Sequence, residues 1–229
     1  VNLKPEFDEP HAIASAERDL IAQLNRRHME ERPHRPELAA RIASYELAAR
    51  MQLSATSALD LSQETAETLA LYCIGEEPTD SYGRRCLMAR RLVERGVRFV
   101  QIFINRQIWD HHTRLAASMM DSCKRTDKPI AGLLQDLRAR GLMDETLVIW
   151  GGEFGRLPLA QLKEGVPESE AGRDHNKNAF TLWMAGGGLK KGFAYGETDE
   201  LGLKSVVKPV SVQDWHATIM HLRARCISV

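Results

Sequence analysis

Three short apolar runs set the strongest limit on what this chain can fold into: VRFVQIFI (97–104), TLVIW (146–150) and FTLWMA (180–185). The first is rich in β-branched and aromatic residues, as a buried strand should be. Between the first and second lies a stretch from about Thr113 to Arg140, closed by Gly141. It places Leu115, Met119, Ser122, Thr126, Ile130, Leu133 and Leu137 on one helical face. Strands alternating with helices predict an α/β domain built on a largely parallel sheet.

Residues 11–95 carry a different pattern. Ile13, Ala16, Leu20 and Leu24 keep helical spacing, and after the breaker RPHRP so do Leu38, Ile42, Tyr45, Ala49 and Leu53. A third helix is expected after Pro78, capped by Thr79 or Ser81, with Tyr82, Cys86, Ala89 and Val93 on one face and a stop at Gly96. The many Arg and Glu residues of these helices read as solvated faces with i,i+4 pairing. The expected organisation is a helical segment, 1–95, packed on an α/β core, 96–229, the two forming one continuous domain. A last helix begins at SVQDWHATIMHL, with Ser211 as cap and Asp214 as the carboxylate of a capping box.

A chain of 229 residues is long enough for one sizeable core. Lys plus Arg equals Asp plus Glu at 31 each, so the charge balance gives no reason to expect a nucleic-acid partner. No apolar run reaches the length of a membrane span. The polar start, VNLKPEFDEP, does not have the form of a signal peptide. Cys73, Cys86, Cys123 and Cys226 form no CxxC pair and are expected to be buried free thiols.

The chemically suggestive residues cluster after the strands. Asp110, His111 and His112 follow the first, and Glu153 and Arg156 follow the second in LVIWGGEFGRLP. In open α/β sheets the ligand crevice lies beyond the carboxyl ends of the strands. Asp174 and His175 precede the third strand and join the others if their loop folds back. Carboxylates with imidazoles suit zinc or manganese, and less typically calcium or magnesium. Arg156 can hold a sulfate or phosphate through its planar fork of donors. Each residue also has a plainer reading. Asp110 can cap the following helix, one of His111 and His112 can be solvated, and Arg156 can simply pair with Glu153. The two glycines before Glu153 suggest close approach of another group to the backbone. His216 reads as a packed or partly exposed helix residue.

Several segments together resemble a known family. CLMARRLVERGVRFVQIF, WDHHTRL, TLVIWGGEFGR, GRDHN, LWMAGGGLKKG, YGETDELG and VQDWHATIMHL are similar, in order, to the motifs of the sulfatase-like proteins grouped as domain-of-unknown-function family 1501. That family is assigned to the alkaline phosphatase and sulfatase superfamily. The resemblance implies an alkaline-phosphatase-like, mostly parallel sheet flanked by helices. It also implies metal ligation by Asp110, His112, Glu153, Asp174 and His175, with His111 at a variable position. It further implies a divalent metal (zinc, manganese or calcium), a small anionic ester as substrate, and an exported bacterial protein.

Two departures stand out. A Gly-Gly-Pro-Ser-His-like segment, which in the superfamily accompanies the Ser, Thr or Cys-derived nucleophile, has no equivalent in this sequence. The ending HLRARCISV places Arg223 and Arg225 where the family has apolar residues. The expectation is therefore the metal-binding portion of a sulfatase- or phosphatase-like hydrolase, weakly active or inactive by itself. The alternative is a non-catalytic α/β module that binds a ligand or partner.

Overall fold

The computed structural model describes residues 11–225, side chains at 11, 14, 36, 50–56 and 223–225 excepted. Cys226 lies outside the described residues. The chain divides into two compact units, residues 1–63 and 64–229.

The first unit contains α1 (His11–Glu30) and α2 (Pro36–Leu59). The break between them falls in the proline-bearing segment, and Pro36 opens α2, where its missing N–H costs no hydrogen bond. Ile13, Leu20 and Leu24 of α1 are each more than half exposed.

The second unit begins with α3 (Ala66–Leu71), α4 (Asp80–Glu94) and α5 (Leu115–Ala139). Thr65 caps α3 by accepting from the Thr68 N–H. Thr79 precedes α4 as expected, but its hydroxyl donates to the carbonyls of Cys73 and Glu76 instead of capping the helix. Gly96 ends α4 with a left-handed φ of 80°. The helices α4 and α5 pack together, burying Cys86, Leu87, Ala89, Leu133 and Leu137. Gly83 of α4 and Gly132 of α5 face the backbone of residues 71–72. A Cβ at Gly83 would overlap the Tyr72 carbonyl oxygen, and one at Gly132 would overlap that of Leu71.

The charged residues of α4 do not all lie on a solvated face. Arg90 is only 2% exposed and Arg91 is buried beside it. Arg90 pairs with Glu64 at 2.7 Å and Glu94 at 2.6 Å, while Arg91 pairs with Glu64. Asp136 of α5 receives the Tyr72 hydroxyl at 2.9 Å and Arg140 at 2.7 Å. Arg90 Nε approaches Asp136 Oδ2 to 2.9 Å but lacks hydrogen-bond geometry, so that contact is purely electrostatic. The helical pattern registered the face correctly but not the charges within it, because a buried ion network has no sequence period of its own.

The strands give a mixed α/β protein whose pairings are antiparallel among the described residues. β1 (Leu147–Trp150) pairs with β4 (Trp183–Gly186), in register from Leu147 opposite Gly186 to Trp150 opposite Trp183. β2 (Gly155–Arg156) pairs with β3 (His175–Asn176), and β5 (Glu197–Thr198) with β6 (Ser205–Val207). The expected parallel sheet is not seen, for two reasons. Parallel neighbours need a crossover connection, usually a helix, and the chain between β1 and β4 holds only β2, a 3-10 turn at Glu168–Glu170 and β3. The segment 97–104, which α5 would have joined to β1 in parallel, forms no strand. Phe99 and Phe103 there are 73% and 66% exposed. The Phe103 carbonyl is taken by the Arg85 guanidinium instead of a neighbouring strand. Strand propensity describes a fit to a pleated surface, and without a ladder partner it forms none.

The last helix, α6 (Val212–Arg225), starts as the sequence indicates. The Ser211 N–H donates to Asp214 Oδ2 at 3.1 Å, and the Asp214 N–H donates to Ser211 Oγ at 3.1 Å, the reciprocal pair of a capping box. Cys73 and Cys86 are buried free thiols, but Cys123 is exposed, since α5 turns that position away from its buried face. None of the described helices is long and apolar enough to cross a membrane.

Candidate metal centre

Three loops are fastened together to form the site. The Arg114 N–H donates to Glu170 O at 2.7 Å and the Leu115 N–H to Ala171 O at 3.3 Å. These bonds occupy donors at the start of α5, which has no side-chain cap. Asp110 therefore does not cap that helix. The Arg173 N–H donates to His111 O at 3.0 Å, and Gln161 and Gly172 exchange backbone bonds at 2.8 and 3.3 Å. Gly172 lies so close to His112 that a Cβ would overlap the His112 carbonyl carbon. β2 and β3 set Arg156 opposite His175.

Asp110, His112 and His175 converge within this frame. Asp110 Oδ1 lies 2.9 Å from His112 Nε2 and 3.1 Å from His175 Nε2, and the two Nε2 atoms are 3.2 Å apart. The two imidazoles stack with centroids 5.0 Å apart, and the Phe154 ring meets His175 edge-on at 5.6 Å. Arg156 Nη2 donates to Asp110 Oδ1 at 2.7 Å and to Trp109 O at 3.2 Å, while Nη1 donates to Arg173 O at 3.2 Å. The Arg156 hydrogen bond holds the Asp110 carboxyl below the usual carboxylate range, and this outweighs the opposing effect of burial; His175 and His112 act in the same direction as Arg156.

The donor set fits a divalent cation. His112 Nδ1 lies 2.7 Å from Gln161 Oε1. An amide oxygen only accepts, so a neutral His112 ring in this contact has its hydrogen on Nδ1 and its lone pair on Nε2. That nitrogen faces a carboxylate oxygen and a second imidazole nitrogen, three ligand atoms of the kinds that suit a divalent cation. Donors around a tetrahedral zinc, with bonds of roughly 2.0–2.1 Å, stand about 3.3 Å apart. The three observed separations are close to that spacing.

The other predicted ligands lie outside this trio. Asp174 is exposed, and its Oδ1 accepts its neighbour's N–H, that of His175, at 2.8 Å and stays 3.9 Å from His112 Nδ1. Glu153 lies in the exposed turn after β1. The close approach expected at the glycines before it occurs at Gly151, where a Cβ would overlap the Leu182 side chain. His111 is buried, not solvated; its Nε2 lies 2.6 Å from Ile108 O and 3.3 Å from Ser122 Oγ. Arg156 pairs with Asp110 in place of Glu153. His216 is exposed on α6.

Two structural residues carry little signal in the sequence. Gln161 sits in LAQLKEG, where nothing marks it. Asn176 ends the GRDHN motif and is 1% exposed; its amide donates to the carbonyls of Gly202 and Leu203, each at 3.2 Å, tying β3 to the 199–204 turn.

Fold and site define a mixed α/β protein with a carboxylate–bis-imidazole cluster where β3 meets the loop before α5. The chain belongs to the family described as Protein of unknown function (DUF1501), whose model matches residues 2–224. Neither a curated protein nor a solved structure gives a match.

Proposed function

We propose that this chain is the metal-binding portion of a metal-dependent hydrolase acting on sulfate or phosphate esters, of the alkaline phosphatase and sulfatase type. The observation that carries the proposal is the convergence of Asp110 Oδ1, His112 Nε2 and His175 Nε2, separated by 2.9, 3.1 and 3.2 Å. Asp110, His112 and His175 hold the ion; Glu153 and Asp174, exposed on adjoining loops, would complete the ligand set only by turning inward. Zinc or manganese suits two imidazoles and a carboxylate better than calcium does. A bound divalent ion supplies Lewis acidity toward an ester oxygen. Arg156 keeps Asp110 ionised and oriented and adds positive charge beside the cluster, which favours an anionic ester. No side chain of this chain is assigned as nucleophile, so little or no turnover is expected from it alone.

A second reading, a non-catalytic ligand-binding module, draws on the commitment of Arg156 to Asp110 and two backbone carbonyls, which leaves less of its donor fork for a substrate. Calorimetric titration with zinc, manganese and calcium tests the centre: binding near one ion per chain, lost in Asp110→Ala and His175→Ala, is expected. Absence of binding by the unmodified chain would sink the metal reading. Hydrolysis of aryl sulfate or aryl phosphate by the metal-loaded chain, abolished by Glu153→Gln, would exclude the non-catalytic reading.

A further inference from the structure

We infer that Gln161 is a positioning residue that selects which nitrogen of His112 is available to the cluster. The ring of a neutral histidine carries one hydrogen, on either nitrogen. Left to itself, His112 has a ready acceptor at Nε2: Asp110 Oδ1 lies 2.9 Å away. A hydrogen placed there would join ring and carboxylate to each other and remove the lone pair a cation needs. Gln161 opposes this outcome. Its Oε1 lies 2.7 Å from His112 Nδ1, draws the hydrogen to that nitrogen and leaves Nε2 open toward Asp110 and His175.

The local geometry assigns this role to Gln161 and not to its carboxylate neighbour. Asp174 Oδ1 is 3.9 Å from the same Nδ1, beyond hydrogen-bond reach, and already accepts the His175 N–H at 2.8 Å. Gln161 is held by its own backbone, which exchanges two hydrogen bonds with Gly172. Gly172 in turn touches the His112 backbone, so ring and amide are referenced to the same short stretch of chain. The choice of an amide is also chemical. A carboxylate at this position would fix the same tautomer and make the imidazole more basic. The neutral amide orients the ring without a second negative charge beside Asp110.

The effect on metal affinity rests on the metal centre proposed above; the tautomer assignment does not. Two measurements on the full chain therefore separate them. In nitrogen-15 NMR at about pH 8.5, well above the ordinary imidazole range, the metal-free protein is expected to show His112 with its hydrogen on Nδ1. Gln161→Leu is expected to move the hydrogen to Nε2, and Gln161→Glu to leave it on Nδ1. In zinc titrations, Gln161→Leu is expected to bind roughly 10- to 100-fold more weakly than the unmodified chain. Gln161→Glu should bind at least as tightly as the unmodified chain, a rescue that a purely space-filling role would not produce. An Nε2–H ring in the unmodified protein, or equal zinc affinity in Gln161→Leu, would overturn the inference. Should the unmodified chain bind no zinc, the metal centre fails while the tautomer result still decides the role of Gln161. Should Gln161→Leu fail to fold, the unmodified protein's tautomer and the Gln161→Glu affinity decide it.

Discussion

Arg156 and His175 stand directly opposite each other in the β2–β3 pair, and both reach the same atom, Asp110 Oδ1, at 2.7 and 3.1 Å. A two-residue strand pair thus fixes the spacing between the guanidinium that ionises the carboxylate and the imidazole that shares it. Replacing Arg156 by Leu should release Asp110 and strand the carbonyls of Trp109 and Arg173. About 1–2 kcal/mol of stability should be lost, a modest figure because the pair is partly solvated. Lys should restore charge but not the forked contacts. Chemical denaturation of the two variants, beside zinc titrations, checks both statements.

Gly172→Ala tests the loop frame. The added methyl would overlap the His112 backbone, so either the 170–175 segment or the 110–115 loop must shift. A cost of about 1–3 kcal/mol is expected. Zinc affinity should fall with it, although no ligand has been altered. Thermal unfolding and titration of the same sample measure both effects, and unchanged values in each would show that the loops are not held in this way.

The Glu64–Arg90–Arg91 network should make the second unit sensitive to acid. Burial raises the Glu64 pKa, but the hydrogen bonds and charges of Arg90 and Arg91 outweigh it, and the net shift is downward from 4.5. A lowered carboxylate pKa contributes stability that is fully present above the unfolded value, near 4.3–4.5, and is lost as pH falls through the folded value. The unmodified chain should therefore lose stability below about pH 4.5 more steeply than Glu64→Gln does. Arg90→Met should be costlier than Glu64→Gln, by about 1.5–3 kcal/mol, because it removes the cation that Glu64 and Asp136 share and leaves each with one remaining arginine. Denaturant midpoints measured from pH 3 to pH 7 give the comparison.

Among the described thiols, Cys123 should react first with iodoacetamide under native conditions. It is exposed on α5, whereas burial pushes the Cys86 thiol up to about 12 and keeps it protonated. Peptide mass mapping of briefly treated protein should find the label on Cys123 well before Cys86. Equal labelling before unfolding would contradict the packing of α4 on α5.

Local signals carried much of this structure, and longer-range ones did not. Helices α1, α2, α4 and α5 were legible from apolar spacing, and the start of α6 from a reciprocal pair three residues apart. The direction of strand pairing was not legible, because it depends on the connection: 151–182 returns through a small antiparallel pair where a parallel sheet needs a crossover helix. Asp110 and the His111–His112 pair stand out because they follow an apolar run, whereas the choice of His112 and of His175, which lies in a polar loop, rests on the family resemblance. Gln161 could not, because its importance arises from a contact across 49 residues. The burial of Arg90 and Arg91 is hidden for a related reason: an arginine in a helix looks the same in sequence whether its partner is solvent or a carboxylate from another element.

Gly83, in the first turn of α4, and Gly132, in the interior of α5, both lie within helices, where alanine is ordinarily the favoured residue by about 1 kcal/mol. Here each lets a helix touch a carbonyl at the end of α3, at Tyr72 for Gly83 and Leu71 for Gly132. A survey of all single substitutions should therefore invert the usual helix scale at these two positions, with alanine among the damaging choices. The helix pair has no room for a single methyl group on that side, and any drift of sequence in α4 and α5 must go around these two fixed points.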